Sequence, residues 1–144
     1  MKPRFILLFT AAMCCTLASC GKDEKEETPV PEAVDKRVVF EVYTTTDYTK
    51  SQYANREASI TLRIRRGDMG MVQETTVFDT TFVRALKDIP LQDGKLVIKK
   101  TVPAVLNGEE WVAIGSGYSV GDEAFGSSEF LPAEQREFKV RLSL

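Results

Sequence analysis

The chain has 144 residues, a formal net charge of −2 and no histidine. Without histidine it lacks the commonest general base, the commonest zinc ligand and every Ser-His or Cys-His catalytic pair. The slightly acidic balance gives no basic footprint for nucleic acid. We therefore expect no nucleic-acid partner, no metal and no other cofactor.

The first residues have the pattern of a secretory signal. Lys2 and Arg4 precede an uncharged apolar run over residues 5–17. This run is shorter than the roughly 20 residues that a membrane-spanning helix needs. Small residues follow it, directly before Cys20. The pattern predicts that residues 1–19 are a removable signal peptide.

The sequence Leu17-Ala18-Ser19-Cys20 resembles the lipobox of bacterial lipoproteins. The resemblance implies that Cys20 receives a diacylglyceryl group on its sulfur and, after cleavage, a fatty acyl group such as palmitate on its amine. The alternative is an ordinary secreted protein with a chance cysteine at the cleavage site. Cys14 and Cys15 lie in the removed segment, so no disulfide within one mature chain is expected.

The residues after Cys20 are strongly charged, with the sequence "GKDEKEE". Lys22, Asp23 and Glu24 resemble the surface-export signal of Bacteroidetes lipoproteins, which implies a position on the outer face of the outer membrane. A solvated tether on a lipoprotein that faces the periplasm is the alternative. Pro29 and Pro31 favour a semi-rigid spacer. Residues 20–35 are therefore predicted to be a tether, with nothing before about residue 36 packed.

Residues 36–144 alternate apolar and polar side chains, which is typical of strands with one buried face. Three segments have this pattern most clearly, with apolar positions at Val38, Phe40 and Val42, at Ile60, Leu62 and Ile64, and at Phe138, Val140, Leu142 and Leu144. "ETTVFDTTFV", "KLVIKKTV" and "EWVAIGSGYSV" add further strands. Turn signals lie at residues 66–68, 92–94, 107–108 and 121–122, and one helical turn is expected before Pro90.

These elements predict an all-β fold, a single antiparallel β-sandwich of six or seven strands. The stretch "LKDIPLQDGKLVI" resembles the part of transthyretin-like and immunoglobulin-like modules in which Leu-x-x-Ile-Pro precedes a strand. That resemblance implies a Greek-key sandwich of one of these two types.

No set of residues points to catalysis. Carboxylates are plentiful, including Asp47, Asp79, Glu109, Glu110, Asp122 and Glu123, but exposed acids occur on any soluble surface. The glycines of "GSGYSVG" lack the spacing and the following helix of a dinucleotide-binding loop. The chain is therefore predicted not to be an enzyme.

Exposed rings are the best candidates for ligand contacts. Trp111, the single tryptophan, sits beside a predicted turn, and Tyr48 and Tyr53 lie in a predicted loop. Asp79-Thr80-Thr81 resembles the Bacteroidetes O-glycosylation acceptor, in which Thr80 would carry the sugar. Ordinary core or strand positions are the alternatives for all four residues.

The expected function is that of a non-catalytic binding or scaffolding module on an outer-membrane surface lipoprotein. Its membrane contact would be the lipid on Cys20, and its partner another outer-membrane or extracellular protein, as in an accessory or adhesion component. The alternative is a surface module that binds a glycan or a small ligand. A bare, extended apolar patch or an unpaired edge strand would favour the first function, and an exposed aromatic platform the second.

Overall fold

The computed structural model describes residues 30–144, which form seven β-strands in two sheets. The strands are β1 (Ala33–Tyr43), β2 (Glu57–Asp68), β3 (Glu74–Ala85), β4 (Leu96–Leu106), β5 (Glu110–Val120), β6 (Glu123–Phe130) and β7 (Glu137–Ser143). Two short 3-10 turns, Leu86–Asp88 and Gln92–Gly94, connect β3 to β4. The predicted all-β sandwich is confirmed. Residues 1–29, with the predicted signal peptide and the sites at Cys20, Lys22, Asp23 and Glu24, lie outside the described residues.

One sheet has three strands in the order β4-β1-β7, and the other has four in the order β3-β2-β5-β6. Every neighbouring pair is antiparallel except β1 and β7, which run parallel. The prediction of a purely antiparallel sandwich is therefore wrong at this one pair. The difference arises because β7 returns beside the first strand rather than beside its predecessor in the chain.

The core lies between the sheets, where the apolar positions of β1 and β2 meet. Phe40, Leu62 and Ile64 are fully buried, as the alternation predicts. On the opposite face of β1, however, Val39 and Glu41 are buried as well. The reason is that β1 is the central strand of its sheet, so side chains of β4 and β7 cover it from both sides.

Two predicted boundaries need correction. Strand β1 begins at Ala33, and Val34 is buried opposite Val105, so the packed domain starts before residue 36. The turn predicted at residues 66–68 is instead the end of β2, where Gly67 pairs with Trp111 of β5. The chain reverses after it, around Gly70, whose φ of 82° is left-handed. The turns at Gly108 and Gly121 and the helical turn before Pro90 are confirmed.

The sandwich has two ends with different loops. The entry end, where the chain enters β1, carries residues 30–32 and the loops 69–73, 107–109 and 131–136. The exit end carries the loops 44–56 and 86–95, the turn 121–122 and Leu144. Because β1 and β7 are parallel, the chain enters the domain and leaves it at opposite ends.

Candidate functional site

Strand β6 forms one border of the four-stranded sheet and pairs only with β5 among residues 30–144. All eight of its residues are exposed. The facing sheet has only three strands, so β6 extends past it. The sequence "EAFGSSEF" is not among the segments predicted as strands, because its glycine, serines and glutamates have low β-propensity. It becomes a strand through the hairpin with β5, which turns at Gly121.

The backbone of β6 offers hydrogen-bonding groups to a further strand. Leu131, directly after β6, donates its N–H to the carbonyl of Val112 at 2.8 Å. In an antiparallel ladder this orientation alternates from residue to residue. The amide groups of Ala124, Gly126, Ser128 and Phe130 therefore point away from β5, toward the open side of the sheet.

The other three border strands carry features that hinder the addition of a strand. The β2–β3 ladder has a register shift at Ile64, and the β1–β4 ladder has one at Val34. β4 also contains Pro103, and β7 has charged side chains at alternate positions. In contrast, the β5–β6 register is continuous, and β6 contains neither proline nor a cationic residue. Of the four border strands, β6 is thus the one most open to pairing.

The inner face of β6 presents one apolar position between two acidic ones. Phe125 stacks on Tyr118 with ring centroids 5.1 Å apart and remains more than half exposed. Glu123 and Glu129 lie on the same face, two residues before and four residues after Phe125. A strand beside β6 would therefore meet an aromatic surface flanked by negative charge.

Trp111 lies at the entry end, on the outer face of the four-stranded sheet. Its indole covers Gly67 and its Nε1–H donates to the carbonyl of Asp68 at 3.2 Å. Phe130 stands nearly perpendicular to it, with the ring centroids 5.7 Å apart. A groove of about 500 Å³ runs beside this pair and is also lined by Met69 and Leu131. The tryptophan is half-buried, with one face packed against the backbone.

The buried amine of Lys36 organises the loop that follows β6. Lys36 is 2 % exposed, and its Nζ donates to the carbonyls of Pro132, Ala133 and Gln135. Burial lowers the pKa of this amine below its ordinary value. The sequence pattern did not predict this burial, since a lysine at the start of a strand is usually solvated. Its role is to hold the 131–136 loop against β1.

Glu110 and Arg66 join the two sheets at the entry end. Arg66 Nη2 lies 2.6 Å from Glu110 Oε2, and the same guanidinium donates to the carbonyls of Pro103 and Ala104. The hydrogen bonds from Arg66 hold the pKa of Glu110 below its usual value, although burial acts in the opposite direction. Arg63 and Arg65 pair with acidic residues of β3. All three arginines of this part of β2 thus form ion pairs.

The three candidate rings do not form one site. Tyr48 and Tyr53 lie at the exit end, while Trp111 is opposite Gly67, close to the last residue of β2. At about 3.3 Å per residue, the length of β2 separates them by roughly 30 Å. Tyr48 packs against the core, and the guanidinium of Arg56 lies over the ring of Tyr53.

Thr80 lies in β3 opposite Leu62, on the side of the strand that faces the core, and is half-buried. Its neighbour Asp79 points outward and pairs with Arg63 at 2.8 Å. Thr81 also points outward and shares a hydrogen bond with Thr61. The predicted sugar acceptor is therefore less accessible than the residue after it.

Among residues 30–144 no three acidic or cysteine side chains come together as metal ligands would. Nor does this part of the chain contain a helix with the length and apolarity needed to cross a membrane. Compared with models of protein families, with curated proteins and with solved structures, the chain gives no match.

Proposed function

We propose that this chain is a lipid-anchored, non-catalytic binding module of the bacterial outer surface that takes up an extended segment of another protein beside β6. The observation that carries the binding role is the exposed, regular and unprotected β6. Strand addition of this kind gains affinity from main-chain hydrogen bonds and specificity from alternate side-chain contacts. The anchor rests on the lipobox-like residues that end at Cys20, and the outward position rests on Lys22, Asp23 and Glu24.

The side chains of β6 suggest what the partner segment contains. An apolar residue would pack on Phe125 and Tyr118, which already stack on each other. Lysine or arginine side chains would complement Glu123 and Glu129, because β6 has no positive charge of its own. The partner is thus an extended segment with basic residues around an apolar one, in another outer-membrane or extracellular protein.

Of the two sandwich types that the sequence resembles, the strand order supports the transthyretin-like one. A constant-type immunoglobulin domain has its first and second strands in the same sheet. Here β1 and β2 belong to different sheets. We therefore propose a transthyretin-like sandwich, in which β6 borders the four-stranded sheet.

The test is photo-cross-linking in intact cells, with a benzophenone side chain at Ala124 and a matched control at Thr101 on β4. A discrete protein adduct is expected at Ala124 alone. Ser128→Pro removes one outward N–H without breaking a bond to β5, which border strands tolerate. Losing one backbone hydrogen bond costs about 1 kcal/mol, roughly a five-fold loss in affinity. Ser128→Ala keeps the N–H and should keep the adduct.

Two results would contradict the proposal. One is an adduct yield at Ala124 no higher than at Thr101. The other is an adduct that withstands Ser128→Pro as well as Ser128→Ala. An adduct between two copies of this chain would assign β6 to self-association instead of partner capture.

The groove beside Trp111 favours a second candidate, the binding of a glycan or small ligand. This candidate ranks lower because one indole face rests on Gly67 and the two tyrosines are distant. Titration with surface glycans, followed by the emission of Trp111, tests it. A saturable change that Tyr48→Ala and Tyr53→Ala leave intact would support a site at the groove.

A further inference from the structure

The entry end of the sandwich exposes apolar side chains that the strand-binding role does not use. Met69, Met71 and Phe130 are each more than half exposed, and Val72 is fully exposed. Trp111 lies among them, against Phe130 and beside Met69. We call these five residues the apolar tip. Exposed apolar clusters on soluble domains mark surfaces that contact a protein or a membrane.

The apolar tip lies where the chain enters the domain. The N–H of Met69 donates to the carbonyl of Glu109 at 2.6 Å, and the N–H of Asn107 contacts the carbonyl of Glu32 at 3.5 Å. The loop 69–73 is therefore linked to residues 30–32 through a single turn. Whatever holds the chain before residue 30 also holds the apolar tip nearby.

We propose that the apolar tip rests on the lipid surface to which the chain is anchored, an inference that depends on the anchor at Cys20 in the proposed function. Nine residues lie between Cys20 and Val30, so their Cα atoms are ten residue spacings and at most about 36 Å apart. Tethering at this range raises the effective concentration of lipid at the tip, so weak apolar contacts are sufficient for binding.

The chemistry of the apolar tip fits the boundary between lipid headgroups and acyl chains. Loop 69–73 has the sequence "MGMVQ", without charge. Tryptophan is enriched at this boundary because its ring is apolar and its N–H is polar. Methionine side chains are flexible and adapt to an irregular apolar surface.

Charge makes little contribution to the proposed contact. Arg65 and Arg66 beside the tip are paired with Glu74 and Glu110, and the amine of Lys36 is satisfied by carbonyls. Glu109 in the adjacent turn is exposed. A surface of zwitterionic lipid is therefore the expected occupant, and binding should depend little on salt.

The test uses the mature chain, residues 20–144, with the thiol of Cys20 coupled to a maleimide lipid in phosphatidylcholine vesicles. Trp111 is the single tryptophan, so its emission reports on the tip alone. Lipids brominated on their acyl chains should quench this emission. The uncoupled chain should require about 10²-fold more lipid for the same quenching, because the tether supplies the effective concentration.

The variant Met71→Asp/Val72→Asp should abolish quenching, whereas Leu91→Asp, at an exposed apolar position of the exit end, should not. Equal urea midpoints for the three chains would establish that folding is unchanged. Quenching absent from the coupled wild type, or unaffected by Met71→Asp/Val72→Asp, would overturn the inference. So would photo-cross-linking of Val72 in cells to a protein without any quenching, which would make the tip a protein interface.

Because coupling replaces acylation by the cell, this result is independent of whether cells acylate Cys20. Failure to quench with complete coupling refutes the lipid contact and leaves the anchor untouched. Failure of cells to incorporate fatty acid refutes the anchor and leaves the measured lipid contact in place.

Discussion

Gly67 is the residue on which the position of Trp111 depends. A Cβ at this position would overlap the indole ring of Trp111, closer than any normal contact. Gly67→Ala should therefore displace the ring from its contact with Phe130 and its hydrogen bond to Asp68. We expect a loss of stability of about 1–3 kcal/mol from overpacking and a red shift of Trp111 emission.

The matched control for this change is Gly115→Ala. A Cβ at Gly115 would lie 3.7 Å from the Cβ of Arg63, an ordinary contact distance. Urea unfolding followed by circular dichroism compares the two variants. Equal destabilisation by both would mean that the indole does not rest on Gly67.

Glu110 is the residue at which the stability of the domain should depend on pH. Hydrogen bonds from Arg66 lower its pKa in the folded protein below the ordinary 4.5. The folded state therefore binds this proton less readily than the unfolded state, so the stabilisation is present above about pH 4.5 and is lost as the pH falls below it. Hydrogen bonds to charged groups contribute about 1.5–3 kcal/mol.

Glu110→Gln should thus destabilise the domain at pH 7. Between pH 5 and pH 3 the free energy of unfolding should fall less in this variant than in the wild type. The measurement is urea unfolding of residues 21–144 across this range. Glu109→Gln, in the adjacent turn and exposed, is the control and should leave the curve unchanged. Parallel curves for wild type and Glu110→Gln would refute a folded-state role for this carboxylate.

At the scale of the strand, substitutions in β2 test which of its two faces is buried in solution. Leu62 is fully buried, while Arg63 is exposed and pairs with Asp79 across the β2–β3 ladder. Truncating a buried leucine typically costs about 2–5 kcal/mol, whereas an exposed ion pair contributes about 0–1 kcal/mol. Leu62→Ala should therefore lower the urea midpoint strongly and Arg63→Ala only slightly.

This comparison uses residues 21–144, because strand β1 includes Ala33 and a chain cut at residue 36 would lose the buried Val34. Reductant should leave both midpoints unchanged, since residues 21–144 contain no cysteine. Similar losses in Leu62→Ala and Arg63→Ala would indicate a register shifted by one residue, which exchanges the faces.

Local sequence patterns predicted those strands whose own residues favour a β conformation. The alternation around Leu62 and Val140 identified the buried faces of β2 and β7, and glycine marked the turns at Gly108 and Gly121. The strand β6 escaped prediction because its polar sequence favours no conformation alone and depends on pairing with β5. The order of strands, and hence which one borders the sheet, is a property of contacts distant in sequence.

The same distinction, between local sequence and contacts distant in sequence, applies to the candidate sites. Trp111 was singled out from its residue type and its neighbouring turn; it lies half-buried at the entry end, and its ligand role stays a prediction. Lys36 and Gly67 escaped notice because their importance comes from residues of other strands that pack on them. The distance between Trp111 and the two tyrosines likewise depends on strand direction, which the alternation of apolar and polar residues does not reveal.

At the scale of the whole molecule, the anchor is tested through Cys20. Cys20→Ala removes the only sulfur in the predicted lipobox, so the precursor should neither take up lipid nor lose residues 1–19. Growth with radioactive palmitate and analysis of the labelled protein measure both effects. Unchanged label in Cys20→Ala would contradict the anchor, and Cys14→Ala is the control that should keep it.

The position of the domain in the cell is tested by replacing Lys22, Asp23 and Glu24 with alanine. If these residues direct export, the variant should remain lipidated but become protected from protease added to intact cells. The wild type should be digested in intact cells, and both proteins after lysis. A wild type that resists protease until the cells are lysed would place the domain on the periplasmic side.

The central position of β1 governs how the domain responds to mechanical load. A pull on the N-terminus enters at Ala33 and acts along β1, which is hydrogen-bonded to β4 on one side and to β7 on the other. The ladder bonds lie across the direction of pull, so both ladders are sheared as a whole instead of opening one bond at a time. The N-terminal end of the domain therefore continues into a strand that is held on both sides, whereas β6 is held by a single neighbour among residues 30–144.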